Sequence, residues 1–91
     1  MQVAWRRQAL ADVSRIARYI AQDNPVAAAR IARALAAAAD SLTRLPEKGR
    51  PGLVPGTREL SAVPPYVIVY RVEREAQTVH ILRIWHTAQN R

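Results

Sequence analysis

Residues 8–45 read QALADVSRIARYIAQDNPVAAARIARALAAAADSLTRL, and this stretch decides the fold. In its first half, apolar residues recur at every third or fourth position: Leu10, Val13, Ile16, Ala17 and Ile20. That spacing places them on one face of a helix with 3.6 residues per turn. We therefore expect an amphipathic helix from about residue 8 to residue 23.

A second helix is predicted after the short turn Asp23-Asn24-Pro25. Asn24 is a preferred N-cap residue, and Pro25 suits the first helical turn because its missing N–H would have no partner there. Apolar residues again recur at spacings of four and three: Ile31, Leu35, Ala38, Leu42 and Leu45. Pro46 is expected to end this helix. Two amphipathic helices joined by a tight turn predict an antiparallel hairpin.

On both sides of this hairpin the pattern changes to that of loops and strands. Gln2–Trp5 reads as a short edge strand. Residues 46–56 contain three prolines and all three glycines of the chain, which predicts a loop. Strands are expected at residues 57–62, 66–72 and 78–85, because β-branched and aromatic residues are concentrated there.

The predicted order of elements is β-α-α-β-β-β, which defines an α+β fold. We expect an antiparallel sheet with the N-terminal helical hairpin packed on one face, in a single domain over residues 1–91. The last strand is an almost continuous apolar run, which favours a central position with burial on both faces.

Composition limits the kind of partner. The chain of 91 residues has fourteen basic and seven acidic residues, a net charge of +7, and all its basic residues except Lys48 are arginines. Such a balance points to a polyanionic partner, either nucleic acid or an acidic protein. No cysteine is present, so disulfides and thiolate metal sites are excluded, and we expect no cofactor or metal. No signal peptide or membrane span is recognisable, so a cytoplasmic location is expected.

Four blocks of the sequence resemble the RelE/ParE family of bacterial toxins. They are LADVSRIARYIAQDNPVAAARIA, LPEKGRPGLVPGTREL, PYVIVYRV and VHILRIWHTAQ, in the order that the family has them. The resemblance implies the toxin of a type II toxin–antitoxin system, encoded with an antitoxin whose extended, often helical segment wraps the toxin. It also implies one of two targets: RelE-like members cleave mRNA on the ribosome, and ParE-like members poison DNA gyrase.

A ribosome-dependent nuclease would need particular side chains. The 2′-hydroxyl must lose a proton, the leaving oxygen must gain one, and cations must hold the charge on the phosphate. His86, just past the last strand, and Arg58, which resembles the Arg of the family's GxREL block, are the catalytic candidates, with Tyr66 and Tyr70 as weaker proton donors. His86 packing beside Trp85 and Arg58 forming a surface ion pair with Glu47 are the structural alternatives.

Val67 is the most informative departure from the nuclease pattern. In the nucleases compared with PYVIVYRV, the resemblance implies a catalytic arginine directly after the first tyrosine, and this chain has Val67 there. The lysines that RelE-like members place around their active site are also missing, because Lys48 is the only lysine. The pattern therefore favours gyrase inhibition over mRNA cleavage.

A gyrase poison acts by binding, so the candidate binding residues matter most. Arg71 and Arg83 are expected on a sheet face, where they would bind antitoxin carboxylates or RNA phosphates. Apolar anchors for the antitoxin are expected at Trp5, Leu10 and Tyr19, each of which could equally belong to the core. Two further hypotheses stay open: an inactive homologue that only binds its antitoxin, and a plain nucleic-acid-binding domain.

Overall fold

The computed structural model describes residues 1–88, so Gln89, the last residue of the fourth family block, lies outside the described part. The elements in chain order are β1 (Gln2–Trp5), α1 (Arg7–Ala21), α2 (Pro25–Asp40), a 3-10 turn (Ser41–Thr43), β2 (Arg50–Pro51), β3 (Arg58–Val63), β4 (Tyr66–Glu73) and β5 (Thr78–His86). Neither helix in this part of the chain is long and apolar enough to span a membrane.

The helical hairpin forms as the sequence predicts. The Asn24 side chain accepts a hydrogen bond from the backbone N–H of Ala27 at 3.0 Å, and Pro25 is the first residue of α2. The expected end of α2 at Pro46 is wrong, because the α-helix stops at Asp40 and tightens into the 3-10 turn. This change of period turns Leu42 into the core but leaves Leu45 60% exposed.

The sheet has five strands in the order β1-β5-β4-β3-β2. The predicted α+β class and the edge position of β1 are confirmed. The sheet is mixed rather than antiparallel throughout, because β1 pairs in parallel with β5, with Trp5 opposite Ile81. Parallel strands need a long crossover connection, and the chain between β1 and β5 provides one. The predicted loop contributes β2, a two-residue strand paired with β3.

The two faces of the sheet have different surroundings. The helical hairpin covers one face, and the core between them is formed by Ala9, Leu35, Ala38, Ala39, Leu42, Leu60, Ile68, Tyr70, Val79, Ile81 and Ile84. The expectation that β5 is buried on both faces is wrong, since Leu82 and Trp85 on the strand are partly exposed. We call this second side, which the helices do not cover, the open face.

A β-bulge at Leu82 explains why the apolar run of β5 does not alternate regularly. Tyr70 pairs with Ile81 and Val69 with Arg83, so Leu82 is an extra residue on β5. The bulge lets both Ile81 and Ile84 point into the core, although they are three residues apart. Arg83 and Trp85, which alternate with Ile84, are thereby placed on the open face.

A buried tyrosine holds the loop that follows the helices. The Tyr70 hydroxyl donates to the carbonyl of Pro46 at 2.7 Å and accepts from the N–H of Gly49 at 2.9 Å. Burial raises the pKa of Tyr70, although the Gly49 N–H opposes the shift. Glycine is required at position 49, because a Cβ there would lie 2.8 Å from both the Tyr70 hydroxyl and the Glu59 carbonyl oxygen. Tyr70 therefore serves the fold, not proton transfer.

Candidate binding surfaces

A buried carboxylate joins α1 to β5. Asp12 is 2% exposed, and its Oδ2 accepts from Arg83 Nε at 2.8 Å and from the Ile84 backbone N–H at 2.9 Å. Its Oδ1 accepts from Arg83 Nη2 at 3.1 Å and from Arg15 Nη1 at 3.0 Å. Burial acts to raise the pKa of Asp12, but the hydrogen bonds from Arg83, Ile84 and Arg15 outweigh it and hold the pKa below its usual value.

This contact fixes the orientation of Arg83. β1 ends opposite Ile81, so the edge of β5 beyond that point is uncovered, and Asp12 occupies it by accepting the Ile84 N–H. The guanidinium of Arg83 lies over the ring of Trp85, 4.9 Å from the ring centroid. Asp12 accepts hydrogen bonds from two of its five N–H groups. The guanidinium is therefore fixed in place at the border of the open face, and its other N–H groups can donate to a partner.

A pocket of about 320 Å³ lies beside this group on the open face. We call it the open-face pocket, and it is lined by Leu53, Val54, Thr57, Glu59, Val69, Leu82, Arg83 and Trp85. Leu53 and Val54 belong to a tight turn closed by a 2.8 Å hydrogen bond from the Gly52 N–H to the Thr57 carbonyl. Both remain exposed, at 71% and 64%. The pocket is thus a largely apolar depression bordered by the Arg83 guanidinium, and its lining also holds the buried carboxylate of Glu59, which accepts from Arg50 and from the Leu53 N–H.

A second groove lies on the opposite side of the sheet, beside α1. It has a volume of about 380 Å³ and is lined by Arg15, Ile16, Tyr19, Ile20, Tyr66 and His86, and we call it the α1 groove. Tyr66 and His86 are cross-strand partners whose rings meet edge to face, 5.5 Å apart. The Nδ1 atom of His86 accepts from the Ala88 N–H at 3.0 Å. His86 therefore faces the helices and contacts Tyr66.

The two arginines named for phosphate or carboxylate binding at β3 and β4 have different environments. Arg58 Nη1 donates to the carbonyl of Gly49 at 2.8 Å. The predicted Arg58–Glu47 ion pair is absent from the described residues, because Glu47 pairs with Arg74 instead. Arg71 is exposed on the open face, where it forms no ion pair with another described residue. Of these two arginines, Arg71 therefore has the more accessible guanidinium for contact with a partner molecule.

The three residues predicted as apolar anchors for the antitoxin differ in their exposure to solvent. Trp5 is half-buried and packs against the core, so it contributes to the fold. Leu10 is 55% exposed and Tyr19 is 74% exposed, both on α1. Tyr19 also lines the α1 groove, so it extends the apolar surface of that groove.

The positions expected to form a nuclease centre do not converge. Val67 is 2% exposed and lies opposite Trp85 on the open face. His86 lies on the helix side of the sheet, whereas Arg71 and Arg83 lie on the open face. Within residues 1–88, no group of three His, Cys, Asp or Glu side chains is placed to hold a metal ion.

Unpaired positive charge is abundant in and beside the helices. Six exposed arginines there form no ion pair with another described residue: Arg6, Arg7, Arg18, Arg30, Arg33 and Arg44. Of these, Arg6 and Arg7 share a depression with Leu82 and Arg83 of β5. The acidic residues that do pair are mostly near the sheet, as with Glu59 and Arg50 or Glu73 and His80. The helical hairpin therefore presents a surface suited to an acidic partner.

Sequence comparison agrees with this architecture. Toxin RelE2 of Caulobacter vibrioides is 52% identical over 89 residues, which cover 97% of both chains. Two solved structures superpose closely, each with 28% sequence identity. The chromosomal ParDE system from P. aeruginosa has a TM-score of 0.85 and covers 94% of this chain and 95% of its own. The toxin–antitoxin complex RelBE2 from Mycobacterium tuberculosis has a TM-score of 0.72 over 93% and 95%.

The fold and these relatives define the class as that of RelE/ParE-type toxins of type II toxin–antitoxin systems. Residues 3–91 match the model of the ParE toxin of type II toxin–antitoxin systems, parDE. The chain belongs to this ParE toxin family.

Proposed function

We propose that this toxin arrests growth by poisoning DNA gyrase in the cytoplasm and that a cognate antitoxin neutralises it. The observation that carries the proposal is Val67: the position where the nuclease pattern needs an arginine holds a buried aliphatic side chain opposite Trp85. A valine can neither donate a hydrogen bond to a phosphate nor stabilise its charge.

The distribution of the remaining candidates supports a binding function. RNA cleavage requires a base, an acid and cations within hydrogen-bond reach of one phosphate. His86 lies in the α1 groove, and the cations Arg71 and Arg83 belong to the other face of the sheet. A gyrase poison needs no such convergence, because it acts by holding a complex of other molecules.

The helical side is the proposed surface for the antitoxin. The two solved relatives are described as toxin–antitoxin systems or complexes. On this chain, Leu10 and Tyr19 offer exposed apolar contacts, and the unpaired arginines of the helical hairpin complement acidic residues. An acidic amphipathic segment lying along α1 would satisfy both features.

One observation favours mRNA cleavage as a second candidate. The α1 groove brings His86 and Tyr66 into contact and is also lined by Arg15, so a proton donor or acceptor and a cation share one depression. In this alternative His86 would act on the proton and Arg15 on the phosphate.

Induced expression in bacteria separates the candidates. DNA breakage and mRNA integrity are measured in the same culture, with co-expression of the cognate antitoxin as the control. The proposal expects DNA breaks, intact mRNA, and unchanged toxicity in His86→Ala and Arg58→Ala. Cut mRNA whose cleavage disappears in His86→Ala would establish the nuclease instead. If expression causes no growth defect, the remaining hypothesis is an inactive homologue that only binds its antitoxin.

A further inference from the structure

We infer that the open-face pocket binds the target protein, taking from it an apolar side chain flanked by a carboxylate. The inference rests on the proposed function, since it concerns the surface through which the toxin reaches its target. It assigns target and antitoxin to opposite sides of the sheet.

Two large apolar side chains are exposed in the turn that precedes β3. Leu53 and Val54 are 71% and 64% exposed, yet hydrogen bonds from the Gly52 N–H to the Thr57 carbonyl and from the Thr57 N–H to the Val54 carbonyl hold the turn. A turn that only connected strands would not need two adjacent large apolar side chains in water. Here both line the same depression as Val69, Leu82 and Trp85, so these apolar side chains are grouped rather than scattered, with Thr57 and Glu59 as polar members of the lining.

The size of the depression indicates what can fill it. At about 320 Å³ it is at the lower end of pockets that enclose small ligands, roughly 300–1,000 Å³. Its open shape on a sheet face suits one or two side chains of a protein partner. A nucleobase would need an aromatic surface for stacking, and Arg83 already covers one side of the Trp85 ring.

Arg83 provides a fixed positive charge at the border of this pocket. Asp12 takes its Nε–H and one N–H of Nη2, which immobilises the guanidinium without using all its donors. The side chain is 36% exposed, so the unused donors can reach a partner. A carboxylate is the protein group that matches such a planar fork, and Arg71 on the same face adds a second cation.

Leu53→Glu tests the inference, because its exposed position leaves folding intact while it places a negative charge in the apolar pocket. Leu45→Glu is the matched control: Leu45 is 60% exposed and does not line the pocket. Both variants are induced in bacteria, and the purified proteins are measured for thermal stability, capture of purified gyrase, and affinity for the antitoxin.

The expected result is at least a tenfold loss of DNA breakage and gyrase capture in Leu53→Glu, with antitoxin affinity changed less than twofold. Leu45→Glu should behave as wild type. Arg71→Glu should reduce gyrase capture in the same direction without lowering the melting temperature.

Three results would overturn the inference. One is wild-type activity in Leu53→Glu. The second is a tenfold loss of antitoxin affinity in that variant, which would assign the pocket to the antitoxin. The third is salt-dependent binding of duplex DNA without gyrase that Arg71→Glu abolishes and Leu53→Glu leaves intact, which would make nucleic acid the occupant. The proposed function itself fails separately, if the wild-type toxin cuts mRNA and breaks no DNA.

Discussion

Replacement of Asp12 by alanine should strongly destabilise the toxin. The substitution removes the acceptor for four hydrogen bonds, three of them from side-chain nitrogens of Arg83 and Arg15 and one from the Ile84 backbone. These bonds hold α1 against the bulged strand β5, so their loss affects the contact between the two layers of the fold.

The size of the stability loss depends on which of the hydrogen-bond donors can be rehydrated once the carboxylate is gone. Removing one partner of a fully buried ion pair costs about 3–5 kcal/mol. Arg83 and Arg15 are 36% and 50% exposed, so both guanidinium groups can be rehydrated, and the cost falls toward that of surface pairs. The Ile84 N–H is buried and cannot be rehydrated, and leaving this donor without a partner costs roughly 1–3 kcal/mol. We therefore expect a loss of about 2–3 kcal/mol in the free energy of unfolding.

Thermal unfolding followed by circular dichroism measures this effect. For a chain of this size, the expected loss lowers the melting temperature by roughly 10–20 °C. Asp40→Ala is the control, because Asp40 is exposed and its side chain forms no ion pair with another described residue, so the melting temperature should stay near that of wild type.

The pH dependence gives an independent check with Asp12→Asn, which removes the charge and keeps an oxygen for Ile84. Because the folded-state pKa of Asp12 is depressed, its charge stabilises the protein above the unfolded pKa of about 3.9. That stabilisation is lost as the pH falls through the folded-state pKa. The stability difference between wild type and Asp12→Asn should be constant near neutrality and shrink below about pH 4.

A melting temperature of Asp12→Ala within about 3 °C of wild type would refute the reasoning, because it would mean that water replaces the carboxylate without cost. A difference between wild type and Asp12→Asn that grows at low pH would refute the assigned direction of the pKa shift.

Three further outcomes are expected. Tyr70→Phe should lose about 1–3 kcal/mol in urea unfolding, because its hydroxyl serves two buried backbone groups, whereas Tyr19→Phe should lose none. Tyr19→Ala should weaken antitoxin binding about tenfold, near 1.4 kcal/mol, by calorimetric titration, and Leu53→Ala should leave it unchanged. Val67→Arg should lower stability by about 3 kcal/mol without conferring mRNA cleavage in a primer-extension assay, because the guanidinium would enter a buried site.

Local patterns in the sequence were sufficient for the main elements. The apolar spacing of α1, the Asn24-Pro25 start of α2 and the β-rich segments each depend on neighbours within a few residues, and the structure has these elements within a few residues of the expected bounds. The end of α2 was placed too late because Leu42 and Leu45 continue the helical spacing, while the chain tightens into a 3-10 turn to bury only Leu42.

Features that depend on distant residues escaped the sequence analysis. The parallel pairing of β1 with β5 joins residues more than seventy positions apart, and no local pattern specifies it. The contact of Asp12 with Arg83 also joins residues that are far apart in the sequence. A single carboxylate near an apolar stripe has no distinguishing local signal, so the sequence does not identify Asp12. The helices cover β5 on one side only, and an apolar run reveals neither this one-sided cover nor the extra residue at Leu82.

The position of β5 between β1 and β4 has a consequence for the cell that makes the toxin. A ribosome delivers the chain in order, so β5, which lies between β1 and β4, emerges after both of the strands that it must join. Until residues 78–86 are available, the apolar side of the helical hairpin lacks most of its partner, and the Arg83–Trp85 surface does not exist. A translation product interrupted before this strand therefore lacks the complete sheet, and the folded toxin forms only after synthesis has passed β5.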